Sequence, residues 1–139
     1  MRVFVTGGAG FIGSHVCEKL LQLGHEVIIF DNMSTGHNQI AGATLVSGDI
    51  RNLEEIADAM QGCTHVAHLA ALSSVPASVA DPNLSAAINL QGTLNVLHAA
   101  KKLGIQRIVF SSTAAIYGDA SQMPVTEETV ANCQSPYAE

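Results

Sequence analysis

The chain is 139 residues long, 47% hydrophobic and only 13% charged, a size that buries roughly 68% of the unfolded surface in one domain and a composition that excludes intrinsic disorder. A net charge of −6, with six Lys and Arg in all, leaves no basic stripe for nucleic acid. Three cysteines without a CxxC pair, and no apolar stretch of secretory or membrane-spanning length, exclude a disulfide framework and predict reduced thiols in a cytoplasmic protein that enters no membrane.

Strand and helix patterns alternate along the chain, with no internal repeat, low-complexity tract or linker. "RVFV" (2–5) is a β-branched and aromatic run ended by glycines, the pattern of a buried strand. Ile12, Val16, Leu20 and Leu23 recur at helical spacing, and Gly24 supplies the stop. "EVIIF" (26–30) is a second strand and "ATLVS" (43–47) a weaker third. Asn52 can cap the next helix with Glu55 as its reciprocal partner, and Leu53, Ile56, Ala57 and Met60 line one face. "HVAHLA" (65–70) is the fourth strand. A long helix is predicted from about Asn83 to Leu103, with Leu90, Leu94 and Leu97 on one stripe and Gly104 after its end, and "RIVFS" (107–111) is the fifth strand.

Strict β–α alternation implies a doubly wound α/β fold: about five parallel strands, right-handed crossovers and helices on both faces. Ligands of such sheets sit beyond the carboxyl ends of the strands, where the strand order reverses. The first such end carries "VTGGAGFIGSH", in which Gly7 or Gly8, Gly10 and Gly13 provide a tight turn and close backbone approach for a pyrophosphate at a helix N-terminus. A P-loop would need Gly-Lys-Ser/Thr, and a kinase loop a following strand with V-A-I-K; neither occurs. Asp31, eighteen residues beyond Gly13, stands where an acid accepts the adenosine ribose hydroxyls. Its charge would repel a 2′-phosphate, and no Arg or Lys lies between Lys19 and Arg51, so NAD is predicted over NADP. Asp49, after the third strand, is open to two readings: an acceptor for the adenine amino group, or a turn or cap residue.

The ordered set "TGGAGFIGSH", "FDN", "GDIRN", "HLAA", "NLQGT", "FSSTAAIYG" and "QSPYAE" resembles the extended short-chain dehydrogenase/reductase family along the whole chain. Within it the likeness is to the NAD-dependent nucleotide-sugar epimerases and dehydratases, especially UDP-glucose 4-epimerase-like members. The resemblance implies a Rossmann fold in which Phe11 and Ile12 present N–H groups to the pyrophosphate. Asn32, Ser34, Thr35 and Gly36 would join Asp31 around the ribose, and Asp49 with Ile50 would hold the adenine. Leu69, Ala70, Ala71 and Ser73 would run under the nicotinamide-side ribose, although some relatives carry a lysine where Ser73 stands, and Ser111 would be a further cofactor-binding residue. Asn89 matches an asparagine that braces the active-site backbone. Thr113 matches the hydroxyl that hydrogen-bonds the substrate oxygen, and Tyr137 the acid/base of a Tyr-x-x-x-Lys motif.

The lysine of that motif would be residue 141, so "SPYAE" is expected to open the family's catalytic helix. Ser135 suits its N-cap and Pro136 its first position. The expected unit is therefore an NAD-binding domain over residues 1–139, incomplete before the catalytic helix and without the C-terminal substrate domain. The whole protein is expected to act on a nucleotide-sugar by transient hydride transfer to NAD, and this chain to turn over negligibly. The alternatives are a stand-alone NAD-binding or sensor module, or a self-associating fragment, and a homo-oligomer is expected. The six histidines show no zinc-type spacing, so no metal is predicted, and Cys17 reads as a small core residue.

Overall fold

The structure is a computed structural model that describes residues 1–139. Five strands, β1 (Arg2–Thr6), β2 (Glu26–Asp31), β3 (Thr44–Ser47), β4 (His65–His68) and β5 (Arg107–Phe110), form one sheet in the order β3-β2-β1-β4-β5. Every neighbouring pair is parallel. The crossovers carry α1 (Phe11–Gln22), α2 (Leu53–Ala59), α3 (Val75–Ala80), α4 (Pro82–Ser85) and α5 (Gly92–Lys102), but β2 reaches β3 through residues 32–43 without a helix, so the expected alternation is not strict. The order reverses between β1 and β4, so the ligand crevice of this topology opens beside Thr6 and His68, which face each other in register.

Side chains alternate across each strand, and the two faces make two cores. Phe4, Ile28, Phe30 and Val66 pack with Ile56 and Met60 of the α2 region and Val96, Ala99 and Ala100 of α5. Val3, Val5, Val27 and Ile29 pack with Cys17 of α1 on the opposite face, which bears out Cys17 as a core residue. No helix is long and apolar enough to cross a membrane.

Further expectations change in detail. The buried face of α1 is Gly13, Ser14 and Cys17, with Leu20 and Leu21 behind them. Of the expected stripe only Leu20 packs against the core, Val16 is half-buried, and Ile12 and Leu23 are 62% and 60% exposed. The helix begins where a glycine must meet the loop before it, so Gly13 has to point inward and Ile12 cannot.

The expected long helix is a composite. Pro82 opens α4, a wide π-helical turn spans Ala86–Gln91, and α5 follows. A separate short helix, α3, precedes it, capped by the Ser74 hydroxyl accepting from Ala77 N–H at 3.3 Å. The leucine stripe does not enter the core, for Leu90 is 63% exposed. The residues of α5 that do are Val96, Ala99 and Ala100, small enough for close approach to the sheet.

The Asn52 cap forms as expected, its side-chain oxygen accepting from Glu54 N–H at 3.1 Å and Glu55 N–H at 3.4 Å. The reciprocal half of the capping box does not form: Asn52 N–H donates to the Asp49 carbonyl at 2.9 Å, and Glu55 instead accepts from Asp49 N–H at 3.1 Å and from the Asn52 side-chain amide at 2.8 Å. Gly24 and Gly104 follow α1 and α5 at φ +78° and +69°, the left-handed conformation that ends helices.

Candidate cofactor and active site

The turn from β1 into α1 is shaped by two glycines that admit no side chain. Gly7 stands at φ +70°, and a Cβ there would lie 2.7 Å from the Ala70 backbone nitrogen. A Cβ on Gly13 would run into the Gly7 carbonyl oxygen. The turn, the first helical turn and the backbone after β4 are therefore in direct contact. Gly10 N–H donates to the Gly7 carbonyl and Ser14 N–H to the Gly10 carbonyl, at 3.2 and 2.9 Å. The N–H groups of Phe11, Ile12 and Gly13 have no acceptor within the chain, and α1 carries no acidic residue in its first turn. What remains is a positive, donor-rich helix end over a bare backbone cradle, which fits the two phosphates of a dinucleotide.

Asp31 is the last residue of β2 rather than the first beyond it. It is buried, and its two carboxylate oxygens accept from Ala9 N–H at 3.0 Å and Met33 N–H at 2.9 Å. Each oxygen keeps a second lone-pair direction, so the group can also receive ribose hydroxyls. The segment after it doubles back over the glycine turn. Met33 takes φ +57°, Gly36 lies so close to Ala9 that its Cβ would come within 2.5 Å, and Asn38 N–H donates to the Ala9 carbonyl at 3.1 Å. Asn32, Ser34 and Thr35 are exposed along this strap.

Asp49 lies after β3, gripped by Arg51 Nε and Nη2 at 2.9 and 2.6 Å and by the Asn32 amide at 3.3 Å. The Arg51 hydrogen bonds hold its carboxyl at about 2, below the usual carboxylate range. Ile50 is buried against Gly92, where a Cβ would fall 2.6 Å from the isoleucine Cδ1. Asn95, which the sequence pattern did not single out, supports this loop from α5: its amide donates to the Ile50 and Arg51 carbonyls at 3.0 and 2.9 Å.

At the other side of the crevice, Leu69 and Ala70 N–H groups each reach the Thr6 hydroxyl at 3.2 Å. Asn89, in the π-helical turn, brackets Leu72 by accepting from its N–H at 2.8 Å and donating to its carbonyl at 3.2 Å. A cavity of about 580 Å³ opens here, with Ala70, Asn89, Phe110, Ser111, Thr113 and Tyr137 in its wall. Ala71 also borders it, whereas Ser73 is exposed and does not. Thr113 accepts from Ala115 N–H at 3.1 Å, which leaves its own O–H free to turn into the cavity. Tyr137 rides on a single turn in which Ala138 N–H donates to the Ser135 hydroxyl at 3.3 Å and carbonyl at 2.9 Å, the arrangement expected of a helix start at Ser135.

The chain thus gathers the predicted positions into three places along one edge: the glycine turn with Asp31 and its strap, the Asp49–Ile50 loop, and the Thr113–Tyr137 cavity. Thr6, His68, Thr93 and Asn95 belong to their supports and were not singled out as site residues. The available signal was a polar residue inside an otherwise apolar strand or helix face.

A sequence profile of the NAD dependent epimerase/dehydratase family matches residues 3–139. UDP-glucose 4-epimerase of Lacticaseibacillus casei is 38% identical over 143 residues, covering 100% of this chain and 43% of that protein. A Klebsiella pneumoniae UDP-glucose 4-epimerase sequence is 39% identical over 91% of this chain and 99% of its own length. Among solved structures, the Thermus thermophilus UDP-glucose 4-epimerase complex with NAD is 44% identical with a TM-score of 0.93, over 99% of this chain and 46% of that one. The Thermotoga maritima UDP-glucose 4-epimerase with UDP-glucose is 39% identical with a TM-score of 0.94, over 99% of this chain and 47% of that one. The chain spans less than half the length of the Lacticaseibacillus, Thermus and Thermotoga proteins.

Proposed function

The chain belongs to the NAD-dependent epimerase/dehydratase family, and from that premise we propose that residues 1–139 are the NAD-binding domain of a nucleotide-sugar epimerase of the UDP-glucose 4-epimerase kind. The observation that carries the reading is the helix end at Phe11–Gly13: three N–H groups without acceptors above a cradle that no Cβ can enter, with the Asp31 carboxylate beside it.

Phe11, Ile12 and Gly13 N–H groups bind the pyrophosphate over Gly7 and Gly10. Asp31, with Asn32, Ser34, Thr35 and Gly36, holds the adenosine ribose, and its charge excludes a 2′-phosphate. Asp49 and Ile50 border the adenine. Leu69, Ala70, Ala71 and Ser111 line the cavity on the nicotinamide side, and Asn89 braces the backbone there at Leu72, whereas Ser73 stands off it. When bound, NAD supplies a reversible two-electron sink for a sugar carbon. Thr113 orients the sugar hydroxyl through its free O–H, and Tyr137 takes up and returns the hydroxyl proton. A tyrosine needs a neighbouring cation for that role near neutral pH, and none of the six Lys and Arg of these 139 residues adjoins it in sequence. A polypeptide of these residues alone therefore binds the dinucleotide and turns over negligibly.

Calorimetric titration with NAD and NADP, on this chain and on Asp31→Ala, tests the binding. NAD is expected to bind more tightly than NADP, and the substitution to erase the difference. Equal affinities in the parent chain overturn the assignment of Asp31. Assay of UDP-glucose epimerisation by the 139-residue chain, against one extended through a catalytic helix and C-terminal domain, tests the division of labour; equal rates reject it.

Three free thiols support a cytoplasmic setting. Self-association is favoured by the edge strand β5, on which Val109 and Phe110 are 60% and 58% exposed. Sedimentation at rising concentration should show it, and a clean monomer throughout counts against it.

A further inference from the structure

The crevice wall contains a buried histidine for which the assignment above has no task. His68 ends β4 with its ring between Thr6 of β1 and Thr93 of α5, stacked on Phe110 at 5.6 Å and 24°. The direction of each hydrogen in this group follows from counting. A threonine hydroxyl has one hydrogen and two lone pairs. Thr6 Oγ1 accepts from Ala70 N–H at 3.2 Å, and Leu69 N–H is shared between that oxygen at 3.2 Å and the Thr6 carbonyl at 3.1 Å. The Thr93 hydroxyl spends its hydrogen on the Asn89 carbonyl at 2.6 Å. A neutral ring therefore donates to Thr93 Oγ1 from Nε2 at 2.9 Å, so Nδ1 is the acceptor and the Thr6 hydroxyl donates to it at 2.6 Å. Asn89 closes the circuit by bracketing Leu72.

The relay begins at the N–H groups of residues 69 and 70 and ends on residue 72, so it encloses the segment assigned to the nicotinamide side. Histidine alone offers a donor and an acceptor on opposite edges of a rigid plane that can also stack. The side chains facing the ring from β1, α5 and β5 are Thr6, Thr93 and Phe110, none of them ionisable. The wide turn at Ala86–Gln91 brings Asn89 within reach of both Leu72 and Thr93, in keeping with the use of such turns at functional sites.

We propose that His68 is a positioning residue: held as the neutral Nε2–H tautomer, it locks the backbone of residues 69–72 to α5 and keeps Phe110 flat, fixing the floor beneath the nicotinamide end of the dinucleotide. The consequence for the dinucleotide rests on the NAD-binding assignment; the tautomer and the lock do not.

Nitrogen-15 spectra of the His68 imidazole in the 139-residue chain test the tautomer directly. The expected signal is the Nε2-protonated neutral ring from about pH 8 to about pH 5, well below where a free imidazole charges. An Nδ1–H tautomer, or ordinary titration, overturns the proposal. Thr93→Val keeps the side-chain shape and removes the hydroxyl, while Thr93→Ser keeps the hydroxyl. Thr93→Val should speed amide exchange at Leu69, Ala70 and Leu72 by about fivefold, the worth of one hydrogen bond, and weaken NAD binding by a similar factor. Binding of ADP, which has no nicotinamide end, should change by less than about twofold, and Thr93→Ser should restore all three readings. Equal exchange in the two variants, or parallel loss of NAD and ADP, overturns the proposal. Should the parent chain bind neither nucleotide, the NAD assignment fails and the imidazole and exchange measurements alone decide the role of His68.

Discussion

The Asp31 carboxylate accepts the Ala9 N–H at 3.0 Å, joining the end of β2 to the middle of the glycine turn. The residue expected to read the ribose is thus also the residue that sets the shape of the phosphate cradle, and its other oxygen orders the strap at Met33. Under the proposed assignment, affinity and cofactor choice are coupled through one side chain.

Asp31→Ala should therefore cost stability as well as binding. Two hydrogen bonds to a charged acceptor disappear, leaving the buried Ala9 N–H without a partner, for a loss of about 2–4 kcal/mol. Urea unfolding measures this. A variant as stable as the parent would show the Ala9 contact to be incidental.

Gly13→Ala should destabilise more than Gly24→Ala. The first drives a methyl into the Gly7 carbonyl, whereas Gly24 has open space around it and only its φ of +78° to lose. Expected costs are about 3 kcal/mol for the overpacked site and about 1 kcal/mol for the strained one. Thermal unfolding of the two variants gives the order, and the reverse order contradicts the close packing described for α1.

Asn95→Leu should loosen the Asp49–Ile50 loop, proposed to border the adenine. The amide's two acceptors, the Ile50 and Arg51 carbonyls, lose their donor, at a cost of about 2 kcal/mol. Binding of AMP should weaken with NAD, because both use the adenosine end. Unchanged AMP affinity in a destabilised variant would confine Asn95 to the fold.

Stability should fall as pH drops through the range set by His68. Burial pushes its pKa from 6.5 down to about 4, so the folded chain binds fewer protons than the unfolded one between those values. The contribution is complete above pH 6.5 and is lost as pH falls toward about 4, roughly 3 kcal/mol in all. Urea midpoints from pH 7.5 to pH 5, compared with His68→Gln, isolate it, because the other groups titrate in both proteins. Identical pH slopes for the two would remove His68 as the source.

The parallel sheet, the glycine turn and the position of Asp31 were legible because their signals are local. A buried strand, a glycine turn and a helix follow one another within the first 22 residues, and the acid closes the next strand. The family motifs pointed to Asn89, Thr113 and Tyr137, which share the wall of one cavity. What the sequence left undecided was orientation. Ile12, Val16, Cys17, Leu20 and Leu21 spread over about half of the circumference of α1, so periodicity alone does not fix the centre of the buried face. The close approach of Gly13 to Gly7 selects it and turns Cys17 inward. Leu90, Leu94 and Leu97 make an equally good stripe on paper, but the sheet takes the smaller Ala99 and Ala100. Thr6, His68 and Thr93 become one hydrogen-bonded unit only when residues 62 and 25 positions apart meet. Local sequence determines which backbone conformations are cheap; only the packed sheet decides which polar groups lose water together and must satisfy one another.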